Sequence, residues 1–279
     1  MTRSETLGNA DFERLRTLIY DESGIHLGKD KKTMLEIRLR RRVRSLNLAT
    51  LAEYCERLFH SGKSGEEIVH LIDVVTTNKT DFFREAGHFD YLVSKALPEL
   101  AARYGSQRPL LVWSAGCSTG EEPYTIAMVL SEHAANWPGF RFSVLASDIS
   151  TEVLAKARLG IFRGEAVKPV PAALQRKYFL RSRDRGSDLV RVAPELRELV
   201  EFRRLNFMDD HFDLPRAPEI IFCRNVIIYF DRATQERLLK KLAARLMPGG
   251  YFFAGHSESL QGMDLPLVPV GPSAYRKVE

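Results

Sequence analysis

The sequence predicts an α/β protein: a parallel sheet with helices on both faces, a small helical domain before it, and an antiparallel β-element inserted into it. Three observations lead there. Residues 1–75 alternate helical patterns with short breaks and hold no convincing strand. From about residue 110 onward, "PLLVWSAG", "RFSVLASD", "VEFRRLNF", "PEIIFCRN" and "YFFAGH" read as short buried strands. Helical patterns at 121–136, 151–158 and 232–247 separate most of them, the alternation expected of a parallel sheet. Residues 160–195 break this rhythm with proline, glycine and charge, and two short β-like runs flank "RDRGSD".

In the helical domain, "NADFERLRTLIYDESG" offers Asn9 or Asp11 as a cap and Gly24 as a stop. In "KKTMLEIRLRRRVRSLNL", Leu35, Leu39, Val43 and Leu46 form one apolar stripe, and Arg38, Arg40, Arg41, Arg42 and Arg44 fan over the opposite side. Residues 29–44 hold eight Lys or Arg against two acids, a net +6, while the whole chain carries +5. An excess concentrated in one helix points to an acidic partner. "TLAEYCERLFHSG" and "EEIVHLIDVVTTN" supply two further amphipathic helices.

The turn after the first strand, "SAGCSTGEEP", is where an open α/β sheet binds ligands. Gly116 and Gly120 permit close backbone approach. Their spacing is G-x-x-x-G rather than the dinucleotide G-x-G-x-x-G, and Gly120 is followed by Glu121 and Glu122 rather than Lys-Ser/Thr. Two carboxylates would repel a pyrophosphate but suit a cationic ligand. S-adenosylmethionine, with its sulfonium and ammonium groups and no phosphate, fits better than NAD. Asp148 ends the second strand 28 residues after Gly120, where a carboxylate accepts from both hydroxyls of a ribose. "TTNKTDFFRE" supplies Asn78, Thr80 and Arg84 between the helical bundle and the sheet. At the fourth strand, "FCRNVIIYF" lacks the Pro-Pro of amino-group methyltransferases and the Pro-Cys of cytosine-C5 enzymes; the pattern leaves Tyr229 open between projecting towards the reacting centre and packing as a core tyrosine.

Other classes are disfavoured. No apolar run approaches the ~20 residues of a membrane span, and the start has no signal-peptide core. Three scattered cysteines and seven dispersed histidines suggest a reducing, cytoplasmic setting with no disulfide framework and no metal. "GHSES" lacks the final glycine of a nucleophile elbow, and Cys117 reads as a small turn residue.

"TTNKTDFFRE", "STGEEPY", "ASDIS", "FCRNVIIYF" and "FAGHSE", in that order, resemble the chemotaxis receptor methyltransferases of the CheR family, and the likeness covers nearly the whole chain. The resemblance implies a Rossmann-like class I S-adenosylmethionine-dependent methyltransferase sheet. Its domains would be an N-terminal helical domain over 1–75, a cofactor-contacting linker over 76–90, and a methyltransferase domain over 91–279 with an inserted β-subdomain over 160–195. It implies methyl transfer to glutamate side chains on the acidic coiled-coil signalling region of chemoreceptors, leaving S-adenosyl-L-homocysteine. The implied cofactor contacts are Asn78, Thr80, Arg84, Glu122, Asp148, Asn206, Phe207, Asn225 and Val226, beside the loop glycine Gly116. The implied receptor contacts are Arg38, Arg41, Arg42 and Arg44. The β-subdomain resembles the one with which some relatives grip a short receptor tail.

A glutamate with a pKa near ~4.3 is already ionised at neutral pH, so the chemistry needs alignment and water exclusion rather than a general base. Arg84 and Tyr229 are the candidates for orienting groups at the transferred methyl. The competing readings are a nucleic-acid methyltransferase, a non-catalytic S-adenosylmethionine-binding module and a NAD oxidoreductase. The missing Pro-Pro-Tyr pattern, the filled motif positions and the glycine spacing count against them in turn. No nucleic acid or membrane insertion is expected.

Overall fold

The computed structural model describes residues 6–60, 65–105, 108–184 and 186–278; the parts of the expected helical domain at 1–5 and 61–64, and Arg185 within "RDRGSD", lie outside them. Helices α1 (Asn9–Ser23), α2 (Lys32–Ser45), α3 (Leu51–His60) and α4 (Gly65–Val75) form the helical domain. The stripe on α2 turns inward as its period requires: Leu35, Leu39 and Val43 are buried and Leu46 packs at the edge. No side chain caps α1. Asn9 is its first residue, and its Oδ1 accepts from Lys32 Nζ at 2.6 Å. Gly24 closes the helix in the left-handed region (φ 73°), and its N–H returns to the Tyr20 carbonyl at 2.7 Å.

Beyond the linker, α5 (Gly87–Tyr91) passes through a π turn (Leu92–Ala96) into α6 (Leu97–Tyr104), so helix begins inside the stretch expected to be linker. The sheet strands are β1 (Leu110–Ala115), β2 (Phe142–Asp148), β6 (Val200–Arg204), β7 (Ile220–Cys223) and β8 (Tyr251–Ala254), all parallel. An antiparallel pair, β9 (Leu267–Gly271) and β10 (Ala274–Lys277), completes the order β6-β2-β1-β7-β8-β10-β9. That pair is absent from the sequence expectation, because Pro269 and the turn at Gly271–Ser273 disguise its alternation.

Helix α7 (Glu121–Asn136) follows β1, α8 (Thr151–Leu159) follows β2, and α11 (Arg232–Arg245) precedes β8. Side-chain caps explain two of these starts. Ser150 Oγ accepts from Val153 N–H, and Asp231 Oδ1 accepts from Thr234 N–H at 2.8 Å. One face of the sheet packs Val112, Phe222 and Phe253 against α5–α7; the other packs Trp113, Ile221 and Phe252 against α11. Every β1 residue is buried, as a central parallel strand demands.

The insertion folds as expected into an antiparallel sheet, with order β3-β5-β4 from β3 (Ile161–Arg163), β4 (Phe179–Arg181) and β5 (Leu189–Val192). Short helices α9 (Ala172–Tyr178) and α10 (Pro194–Arg197) flank it. Among the described residues no helix is long and apolar enough to cross a membrane.

Candidate active site

From β1 the chain moves outward one way to β2 and β6, and the other way to β7 and β8. The carboxyl ends of β1 and β7 therefore frame the crevice where such sheets take ligands. A cavity of about 200 Å³ lies there. The first turn is shaped by Gly116 (φ 89°), Ser118 (φ 49°) and Gly120 (φ 101°). A Cβ on Gly116 would meet Val226 Cγ2 at 2.4 Å, so glycine lets the turns after β1 and β7 close on each other.

The two glutamates that open α7 part company. Successive helical residues point about 100° apart. Glu122 lines the cavity, its Oε1 accepting from Ser114 Oγ at 2.7 Å and its Oε2 from Arg224 Nε at 2.7 Å. Glu121 lies outside that lining and accepts from Thr119 Oγ1 at 2.6 Å, and burial pushes its pKa up. Asp148 lines the cavity and is buried, which raises its pKa; its two oxygens accept from Ser118 N–H (2.8 Å) and Ser150 N–H (3.0 Å).

Every residue expected at the cofactor lines this cavity: Asn78, Thr80, Arg84, Gly116, Glu122, Asp148, Asn206, Phe207, Asn225 and Val226, joined by Tyr229. Asn206 also binds within the protein. Its Nδ2 donates to the Glu22 carbonyl at 2.6 Å, and its Oδ1 accepts from Met208 N–H at 3.0 Å. Asn225 holds φ 59°, left-handed backbone that asparagine tolerates better than most residues. Tyr229 ends a 3₁₀ turn, Ile227–Tyr229, and its carbonyl accepts from His26 N–H at 2.9 Å.

Sequence reasoning missed one wall. Ile25, His26, Leu27, Lys31 and Met34 of the helical domain also line the cavity, opposite the sheet. They carry no motif. The one hint is Gly24: a Cβ there would meet Met208 Sδ at 2.6 Å and Phe230 Cε1 at 3.2 Å, so α1 ends hard against the sheet domain.

Arg224, itself in the cavity lining, joins three elements. Besides Glu122, its Nη1 reaches the Arg84 carbonyl (2.7 Å), His88 Nδ1 (3.1 Å) and Glu85 Oε2 (3.4 Å). Burial and this guanidinium push the His88 pKa down to about 4, leaving a neutral ring at neutral pH. Glu85, His88 and His256 bring ligand-type atoms within 4.8 Å of one another, and the guanidinium already places a positive charge against that group. Cys117 and Cys223 are fully buried thiols whose pKa values burial raises well above the ordinary range, so neither is a ready nucleophile.

The four arginines expected at the receptor lie outside the cavity and do not share one exposure. Arg38 Nη1 donates to the Val75 and Thr76 carbonyls at 2.6 and 3.1 Å, closing the end of α4. Arg42 grips Glu67 with two hydrogen bonds of 3.0 and 2.6 Å, both side chains largely buried. Arg41 and Arg44 are exposed, as is Ile37 at 65%. The expectation that the whole arginine fan faces solvent is thus corrected: two members brace α2 against α4.

Two family descriptions match the chain: "CheR methyltransferase, all-alpha domain" over residues 10–76, and "CheR methyltransferase, SAM binding domain" over 78–271. The chain is similar to the chemotaxis protein methyltransferase of Escherichia coli K12, 42% identical over 275 residues that cover 99% of this chain and 93% of that one. The Salmonella typhimurium protein of the same description is 42% identical over 94% of this chain and 88% of its own. Chemotaxis protein methyltransferase 2 of Pseudomonas aeruginosa is 41% identical over 95% and 92%.

Proposed function

This chain belongs to the CheR family of S-adenosylmethionine-dependent methyltransferases, and from that premise we propose that it esterifies glutamate side chains on the signalling region of chemoreceptors. The observation that carries the proposal is the convergence of the whole expected cofactor set, with Tyr229, on one cavity at the sheet's switch point. The lining suits the donor. Glu122 and Asp148 supply carboxylates for a cationic head and a ribose diol, while Ile25, Leu27, Met34 and Phe230 supply apolar walls for a flat base. When bound, S-adenosyl-L-methionine supplies an activated methyl group on a sulfonium.

The protein's own task is orientation. Glu122, held by Ser114 and Arg224, is fixed before any ligand arrives. Arg84 is anchored by its side chain to the Lys79 carbonyl (3.2 Å) and by its own carbonyl to Arg224, so the linker lines the cavity along a defined path. Tyr229 and the exposed Ile228 (47%) stand at the β7 end, beside the approach of an incoming carboxylate. No residue needs to remove a proton, because the acceptor is already ionised near neutral pH.

The receptor-facing surface of α2 reads as Ile37, Arg41 and Arg44, spaced i, i+4, i+7 on one face. That pattern fits an acidic helix carrying an apolar position. A second basic surface lies on the insertion. Residues 158–191 hold nine Lys or Arg against three acids, net +6, and expose Leu159, Ile161, Leu180 and Leu189. It is the candidate site for a receptor tail.

Incubation with methyl-labelled donor and a receptor cytoplasmic fragment, followed by mild alkali, tests the proposal. Base-labile label on the receptor is the expected result. Alkali-stable label would mean an amine acceptor and overturn the glutamate assignment.

A further inference from the structure

Glu258, from "GHSE", lines no part of the cavity and is 4% exposed. Its carboxylate nevertheless accepts four backbone N–H groups. Oε1 takes Val226 at 2.7 Å and Ile227 at 2.9 Å; Oε2 takes Asn225 at 2.8 Å and Gly255 at 2.7 Å. Three of these donors belong to the turn after β7, which holds the left-handed Asn225, the Val226 methyl packed on Gly116, and the start of the turn that presents Tyr229. Gly255 leaves room for the arrangement. A Cβ there would stand 2.8 Å from Glu258 Oε2 and 2.9 Å from Asn225 N.

We propose that Glu258 is a positioning residue of the methyl-donor site: its buried carboxylate holds the 225–227 turn in the shape that lets Asn225 and Val226 meet the donor. The inference rests on the reading that those two residues contact it. Three consecutive amides that converge on one point have no strand or helix partner of their own, and left-handed backbone at a non-glycine residue persists only when its surroundings impose it. A carboxylate is the side chain that can accept all four bonds with its two oxygens. Glutamine keeps the shape but turns two of those acceptances into donor against donor.

The full-length protein provides the test, with S-adenosyl-L-homocysteine as probe. Two readouts serve: its dissociation constant by calorimetry, and ligand-free amide exchange at 225–227. Glu258→Gln is expected to bind at least tenfold more weakly and to exchange those amides at least tenfold faster. Leu100→Ala, a core truncation remote from the cavity, controls for general destabilisation and should keep wild-type affinity. Binding within twofold of wild type by Glu258→Gln would overturn the inference, as would an equal loss in Leu100→Ala. If Glu258→Gln does not fold, Gly255→Ala, which keeps the carboxylate but crowds it, is read by the same two criteria. A wild-type protein that fails to bind the probe would sink the cofactor assignment instead, and exchange at 225–227 would still decide whether Glu258 holds the turn.

Discussion

Arg42 and Arg41 are neighbours in sequence with opposite tasks. Arg42 faces Glu67 in a two-pronged, largely buried ion pair, so Arg42→Ala leaves a carboxylate short of its partner. We expect a loss of about 2 kcal/mol in denaturant unfolding, below the full cost of breaking a deeply buried pair because both groups keep some solvent. Arg41→Glu combined with Arg44→Glu should leave the melting temperature unchanged. It should lower receptor methylation at least tenfold at low salt, by removing the steering charge, with donor binding unaffected. His88 gives a residue-level dependence on pH. Its folded pKa, about 4, lies below the unfolded value of 6.5. Between those values the unfolded chain binds a proton that the folded chain refuses, so stability falls as pH drops through that window. The loss approaches about 3 kcal/mol by its lower end. Denaturation of the wild type and His88→Asn at pH 7 and pH 4.5 checks this, the variant losing less on acidification. The other titratable groups facing the ring are Arg224, Glu85 and His256, and they are common to both proteins.

At the scale of elements, the end of α1 matters more than its length suggests. Gly24 combines left-handed backbone with contact to Met208 and Phe230. Gly24→Ala should therefore cost about 2 kcal/mol and also weaken S-adenosyl-L-homocysteine binding, because Ile25 and Leu27 follow directly in the cavity wall. Much of the site was legible in the sequence for a physical reason. β1, β7 and the "GEE" turn are local, and parallel strands buried on both faces write themselves as apolar runs ending at the ligand. What escaped was non-local. A helical wheel places Arg38 and Arg42 on the polar side of α2, yet says nothing of Glu67 or of the Val75 and Thr76 carbonyls at the end of α4, which lie 25 to 38 residues away. Ile25 and Leu27 carry no pattern of their own in the sequence, because the surface they complete belongs to the sheet domain. The basic insertion escaped for a different reason: acids elsewhere in the chain cancel its charge in the total.

For the molecule as a whole, the helical domain and the sheet are tied at several separate points. Asp73 accepts from the Thr151 N–H and hydroxyl at 2.8 and 2.6 Å, Tyr20 donates to Asp231 at 2.6 Å, and Asn206 donates to Glu22. We expect a single calorimetric unfolding transition that S-adenosyl-L-homocysteine shifts upward as one unit, by about 2.7 kcal/mol at a hundredfold excess over its dissociation constant. Two separated peaks, with only one moved by the ligand, would show that the domains unfold independently. Helix α2 takes part through the cavity rather than through these ties. Met34 faces the cavity, and less than one turn later Ile37 faces outward, with Arg41 beyond it. One short cylinder thus serves as a party wall between two tenants. Under the proposed function, any coupling free energy between donor binding on one side and receptor docking on the other is reciprocal: each alters the other's affinity by the same factor. Supply of methyl groups and engagement of the sensor would then share a single mechanical ledge, fourteen residues long.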